Sequence, residues 1–307
     1  MSQQQGFDPK AALYCGGFIV GWTIGPVYIE YLTGYMDTWT QNGLRYSVAC
    51  LFWLPLLVWT IRRGNFPKKL WKLAIPVAVI NIISQSTWAA SFYFSQPAFL
   101  VLLAKTCVLF VATISIFVFP DERPLLRQPV FWVGLLLAFG GTFGIVMYHS
   151  DSQAQGLFWG TFMALAHSFT FAIYTILIKL LLRGIDPRLS FSVITVYTAP
   201  CLMGLAFWLG KPTETLSLSI RPWSYVVISA VISIAIAHVS FYGAVKRIGA
   251  NIPSVLLLVV PFTTLLVSSI LFSERLTLLQ GVSGLGLLAG VGLTMRAEQR
   301  TRRLEAE

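Results

Sequence analysis

SFYFSQPAFLVLLAKTCVLFVATISIFVF, residues 91–119, decides the class of this chain. From Phe99 to Phe119 the run carries one charge, Lys105. At about 1.5 Å per helical residue it covers the roughly 30 Å of hydrocarbon in a bilayer. Composition extends the reading to the whole chain. With 56% of residues hydrophobic, 11% charged and a mean hydropathy of +0.73, 307 residues have too little polar surface for a water-soluble domain. Comparable runs lie at 11–31, 39–61, 72–94, 98–119, 129–148, 156–179, 189–209, 223–245, 251–272 and 277–295. They are continuously apolar, not alternating, which argues against a β-barrel. The expected fold is an all-α integral membrane protein with ten transmembrane helices.

Basic residues orient that bundle. With the N-terminus in the cytoplasm, Lys10, Arg62, Arg63, Lys68, Lys69, Lys72, Arg123, Arg127, Lys179, Arg183, Arg188, Lys246, Arg247, Arg296, Arg300, Arg302 and Arg303 all fall on the cytoplasmic side. Lys211, Arg221 and Arg275 remain outside, and Arg45 and Lys105 lie within spans. The positive-inside rule then places both termini in the cytoplasm of a multi-pass protein in the inner or plasma membrane. Basic loops against anionic headgroups account for the net charge of +10, so the expected partner is the lipid bilayer, not nucleic acid. The first apolar run is long enough to span and lacks a convincing cleavage site, so it is expected to stay as a helix.

A repeat divides the chain. The opening stretch, continued to Gly141, resembles SFYGAVKRIGANIPSVLLLVVPFTTLLVSSILFSERLTLLQGVSGLGLLAGVG at 240–292. The two Ser-Phe-Tyr triplets lie 149 residues apart, and Glu122-Arg123 lies 152 residues before Glu274-Arg275. Gly134 and Gly140 then fall on Gly286 and Gly292. Each unit holds five spans, and an odd number makes the halves cross in opposite directions. The expected organisation is a cytoplasmic N-terminus (1–10), a first repeat (11–148), an outer linker (149–155), a second repeat (156–295) and a basic cytoplasmic tail (296–307). Two inverted five-helix repeats are the architecture of secondary transporters, which hold substrate near the midplane between the halves.

Over about 11–295 the chain resembles the EamA-type members of the drug/metabolite transporter superfamily. The resemblance rests on Trp22 with the small and polar residues after it, on Arg45-Tyr46, on SFYGAVKRIGA leading to Pro261, and on the turns at Glu122-Arg123 and Glu274-Arg275. Their order, repeated at the right spacing, is what makes it specific. It implies ten helices, cytoplasmic termini and transport of small metabolites across the inner or plasma membrane, often outward. Leu109 stands where the second repeat has Pro261, a departure that bears on the bend of span 4.

Lys105 needs a physical explanation. A lysine at mid-span costs about 2.5–3.5 kcal/mol, and all 12 acidic residues lie in termini, loops or span ends. Either the ammonium holds an anionic group of a substrate, with water there in the empty state, or it is satisfied structurally. A snorkelling side chain would have to reach roughly 10 Å to the outer surface. In span 3, Asn81, Ser84, Gln85 and Trp88 recur at helical spacing and share one face, which is expensive against lipid. That face lines a cavity or bonds other helices. His167, Thr170 and Tyr174 share a face of span 6, and His238 precedes Tyr242 by a turn in span 8. The histidines are either proton-coupling groups or neutral hydrogen-bond partners. With no mid-span carboxylate, facilitated diffusion or exchange suits the chain at least as well as antiport. Arg45, about two turns into span 2, either meets a carboxylate at the outer mouth or ties helix ends through a carbonyl. Trp22, Trp88, Tyr174 and Tyr242 are cavity candidates that, with Lys105, suit an amphiphilic anion or zwitterion such as an amino acid with an apolar side chain.

Other features are structural. Gly17, Gly21 and Gly25 form a small-residue face on span 1; Gly140 and Gly144 in span 5, and Gly286 and Gly290 in span 10, join either the repeats or two protomers of a homodimer. Pro26, Pro55, Pro76, Pro200, Pro253 and Pro261 are hinges or static kinks. Cys15, Cys50, Cys107 and Cys201 read as free, buried thiols without metal-ligand spacing. The Gly284–Ala289 match to a dinucleotide pattern lies inside a span with no preceding soluble strand and is rejected. No metal, cofactor or catalytic set is expected. The function indicated is a secondary transporter of a small amphiphilic metabolite, and the alternative is a membrane sensor, scaffold or intramembrane enzyme. Substrate identity, direction, coupling and oligomeric state are open at this stage.

Overall fold

The computed structural model of the chain describes residues 8–118, 120–148, 154–182, 184–248 and 256–304. Among the described residues every regular element is helical. In chain order these include α1 (Pro9–Thr33), α2 (Thr38–Arg62), α3 (Lys69–Ser91), α4 (Pro97–Ala104), α5 (Cys107–Val118) and α6 (Pro129–Met147). Then follow α7 (Ala154–Leu181), α8 (Pro187–Leu209), α9 (Ile220–Ser229), α10 (Ala237–Ile248), α11 (Val260–Phe272) and α12 (Leu278–Leu304). Among the described residues eight candidate membrane spans are long and apolar enough to cross a bilayer, counting Pro97–Val118 and Ile220–Ala244 as one each; Pro129–Ile145 and Leu257–Phe272 are shorter apolar helices.

The helix starts follow from local sequence. Asp8, Asp37 and Asp186 are N-caps whose carboxylates accept from backbone N–H groups of the first turn, and Pro9 and Pro187 suit a first turn that has no N–H partner to lose. At α12, Thr277 N–H donates to Gln280 Oε1 at 2.9 Å and Gln280 N–H to Thr277 Oγ1 at 3.2 Å, a reciprocal capping box. Past the end of α2, Gly64 takes a φ of 72° that a side chain would resist.

Packing then pairs the helices. α2 lies on α8, α6 on α12, α3 on α7, α1 on α10, and α4 on α11; α3 also touches α8, α4 touches α7, and α1 touches α11. Small residues let α1 approach: Gly17, Gly21 and Gly25 face Ser240, Ala237 and Ser233. In the α6–α12 contact the glycines nearest the opposite backbone are Gly134, Gly141 and Gly290, while Gly140 faces open space and Gly144 meets Ser283. The outer faces are apolar, with Leu136, Trp208 and Ile270 exposed to 71%, 79% and 74%, as suits contact with acyl chains. A groove of about 420 Å³ lined by Leu51, Leu54, Pro55, Val58, Trp59 and Arg62 belongs to this outer surface of α2.

Three elements and one side chain differ from the sequence reading. The run at 98–119 is not one helix: α4 ends at Ala104 and α5 starts at Cys107, with Lys105 and Thr106 in a turn. Span 8 contains a π-helical segment, Ala230–Ile236, between α9 and α10. The last helix continues to Leu304, beyond the expected end at 295. Cys201 is exposed on α8 where a buried thiol was expected, while the four cysteines are free as expected. Pro253 and residues 251–255 of span 9, 149–153 of the linker, and the side chain of Glu122 lie outside the described residues.

Candidate functional site

The turn at Lys105 has a local cause. Thr106 Oγ1 donates to the Leu103 carbonyl at 2.8 Å, and the Thr106 N–H reaches the same carbonyl at 3.0 Å. A hydroxyl competing for a backbone acceptor loosens the helical ladder. The N–H groups of Lys105 and Val108 also bond three residues back, to Leu102 and Lys105, at 3.1 and 3.2 Å. The chain tightens there without proline, which resolves the question raised by Leu109. In span 9 a 3₁₀ turn, Leu257–Val259, precedes α11; Lys105 and Leu257 are 152 residues apart, the spacing of Glu122 and Glu274.

Lys105 is half-buried, and no carboxylate comes within ion-pair distance of it among the described residues. It lies within electrostatic range of His167 on α7 and of Cys107. His167 is nearly buried; its Nδ1 sits 2.9 Å from the Ser84 carbonyl and 3.0 Å from Ser84 Oγ. A carbonyl only accepts, so the proton belongs on Nδ1 and the lone pair on Nε2. Trp88 covers the imidazole at a ring separation of 4.6 Å. Lys105, His167, Ser84 and Trp88 therefore form one group, contributed by α3, the α4–α5 turn and α7.

A second group gathers on the other side. His238 Nδ1 lies 2.9 Å from the Ile234 carbonyl in the π-helical segment, which fixes the same tautomer. Its ring stacks on Phe191 at 5.0 Å and meets the edge of Trp22 at 5.4 Å. Trp53 Nε1 donates to the neighbouring Ala235 carbonyl at 3.2 Å.

Between the groups lies a buried polar cluster. Asn81 Nδ2 donates to Thr198 Oγ1 at 3.3 Å. Tyr46 lies within interaction range of Asn81, and Tyr174 of Tyr242 and Tyr46, while neither the Tyr46 nor the Tyr174 hydroxyl makes a hydrogen bond among the described residues. Tyr46 and Tyr174 are each 1% exposed. An unsatisfied buried hydroxyl costs about 1–3 kcal/mol. His167, Phe171 and Tyr174 stack along α7 at 5.5 and 5.6 Å, joining this cluster to the neighbourhood of Lys105.

The structure thus gathers Trp22, Asn81, Trp88, Lys105, His167, Tyr174, His238 and Tyr242 in the interior. Gln85 is half-buried and joins none of these contacts, and Thr170 Oγ1 bonds the backbone of its own helix, to Ala166 at 2.7 Å. Arg45 is 4% exposed, and its Nε donates to Ser229 Oγ at 3.0 Å, so it ties α2 to α9 through a hydroxyl. Sequence reasoning missed Glu274. Expected in a turn at a span end, it is 2% exposed and accepts from the N–H groups of Ala98 and Phe99 at 3.0–3.2 Å, at the start of α4. Glu30 of α1 is close enough to interact with it. The one hint was that Pro97 marks a helix start whose next N–H groups need acceptors.

A family model described as the EamA-like transporter family matches residues 10–147 and, again, 158–296. The chain belongs to the EamA-like transporter family. It is therefore a multi-pass membrane protein of a family of transporters, not of enzymes. Among its relatives, an uncharacterized transporter of Haemophilus influenzae is 25% identical over 192 residues, 59% of this chain and 60% of that protein. That match spans less than two thirds of the Haemophilus protein. The uncharacterized transporter YyaM of Bacillus subtilis is 21% identical over 245 residues, 78% of each chain. One crystal structure, of a protein 16% identical, superposes with a TM-score of 0.64 over 96% of this chain and 98% of its own, so the two share a fold.

Proposed function

We propose that this EamA-like protein is a secondary transporter that carries a small amphiphilic metabolite, an amino acid or related organic anion, outward across the inner or plasma membrane by alternating access. Lys105 is the anchor for the anionic end. The observation that carries this reading is an interior ammonium in a helix turn, within electrostatic range of His167, with no carboxylate to neutralise it among the described residues. A charge so placed is a functional site by default in a membrane protein. An interrupted helix is also the usual seat of a transporter's substrate.

Ten helices in two inverted repeats, 11–148 and 156–295 with both termini cytoplasmic, form the frame of the proposal. The two separate family matches support it. So does the packing. Exchanging the halves sends span 2 to 7, 4 to 9 and 5 to 10, and each of these pairs is in contact (α2 with α8, α4 with α11, α6 with α12). The same exchange turns the α3–α7 contact into the α1–α10 contact, and α4–α7 into α1–α11. The turns at Lys105 and Leu257 also correspond.

The test is counterflow of labelled amino acids and short carboxylates in proteoliposomes, wild type against Lys105→Gln. Flux by the wild type and its loss in a folded variant are expected. Equal flux by both would remove Lys105 as the anchor, and no flux of any probe beside a signalling output would favour a sensor.

A further inference from the structure

Tyr46 and Tyr174 raise a question that the ammonium does not answer. Both are essentially buried, and phenylalanine would fill the same space with no hydroxyl to satisfy, yet each carries a hydroxyl without a hydrogen-bond partner among the described residues. The two come from α2 and α7, in different halves of the chain. Tyr242 of α10 brings a third hydroxyl toward that of Tyr174, and the Asn81 amide of α3 lies toward that of Tyr46 while bonded to Thr198. Four elements thus bring polar side chains within interaction range of one another and leave two buried hydroxyls unmatched. Buried polar groups are paired in folded proteins, so orphans that converge point to a ligand that completes them.

We infer that the hydroxyls of Tyr46, Tyr174 and Tyr242 form a second pole of the substrate site, one that hydrogen-bonds an uncharged hydroxyl or primary amide at the end of the substrate opposite its carboxylate. This rests on the proposed role of Lys105 and goes beyond it. The group received is uncharged because no charged side chain hydrogen-bonds these hydroxyls among the described residues: Arg45, which lies within electrostatic range of Tyr46, gives its Nε to Ser229 Oγ at 3.0 Å. A phenolic hydroxyl both donates and accepts, and a hydroxyl or amide does the same. The wall between the poles is aromatic. From His167, beside Lys105, the rings of Phe171 and Tyr174 follow at 5.5 and 5.6 Å. An apolar middle flanked by a carboxylate and a neutral polar tip matches that order.

Two probes of nearly equal length separate the poles: 6-hydroxyhexanoate, which ends in a hydroxyl, and heptanoate, which ends in a methyl. Their binding to the purified full-length protein is read by tryptophan fluorescence, since Trp88 stands on His167. The wild type is expected to prefer the hydroxylated probe by about tenfold or more, because a site built around polar groups rejects a ligand that leaves them unpaired. In Tyr174→Phe and Tyr46→Phe that preference should fall to near unity, with heptanoate affinity unchanged and a melting temperature no lower than wild type. Lys105→Gln should weaken both probes alike. A wild type without preference, a preference that survives both tyrosine changes, or binding of neither probe overturns the second pole. Preserved preference and undiminished affinity in Lys105→Gln would overturn the anchor and leave the hydroxyl pole standing.

Discussion

Glu274 and Asp37 show how single carboxylates hold this bundle together from its ends. Glu274 accepts from two N–H groups of α4 while almost fully buried. Hydrogen bonds to a charged acceptor are worth about 1.5–3 kcal/mol. Glu274→Ala should therefore lower stability by about 2 kcal/mol, and Glu274→Gln by less, as read from detergent melts; an unchanged melt for both would show that the cap is idle. Asp37 caps α2 and also accepts from the Lys211 N–H at 2.9 Å, joining two turns. Burial favours its neutral form, but the hydrogen bonds from Thr40, Lys211 and Trp39 outweigh this and hold its carboxyl below the usual 3.8. Its contribution is thus fully present above about pH 4 and is lost as pH falls through the lowered value. Asp37→Asn should cost about 1 kcal/mol at neutral pH and little in strong acid; a loss independent of pH would contradict this. The sequence made Lys105 conspicuous because nothing else in its run is charged. Glu274 stayed hidden because its burial depends on where α4 begins, in a distant part of the chain, and the acceptor of Arg45 was not legible because Ser229 is 184 residues away.

At the scale of helices, close approach is decided by residues without side chains. A Cβ on Gly21 would stand 2.6 Å from Ala237 Cβ and 2.7 Å from the Ile232 carbonyl oxygen, whereas one on Gly16 would meet nothing. Gly21→Ala should destabilise by about 1–3 kcal/mol through overpacking. Gly16→Ala should be neutral or stabilising by up to about 1 kcal/mol through helix propensity. Equal melts for the two variants would mean that α1 does not sit on α10 this tightly. The glycine face of span 1 was legible because three glycines follow one another at a spacing of four. The interruption of span 4 was not, since it comes from a threonine hydroxyl and carries no proline. The π-helical segment at Ala230–Ile236 has no sequence signature at all, being apolar throughout apart from Ser233.

For the whole molecule, composition and the repeat already define a membrane protein with related halves, and the family matches fall on both. What a one-dimensional repeat does not give is which helices touch. Contacts such as α2 with α8 and α3 with α7 join segments far apart in the chain, and they bring two aromatic groups to either side of a tyrosine cluster. The account depends on that interior being wet and reached by alternating access. The most direct test is aqueous access to position 105. In a variant with the native cysteines replaced and Lys105→Cys introduced, a charged, membrane-impermeant thiol reagent should modify residue 105 from the aqueous phase in proteoliposomes. If only a lipid-permeant reagent reacts, Lys105 faces acyl chains or a dry seam, and the proposed site does not exist.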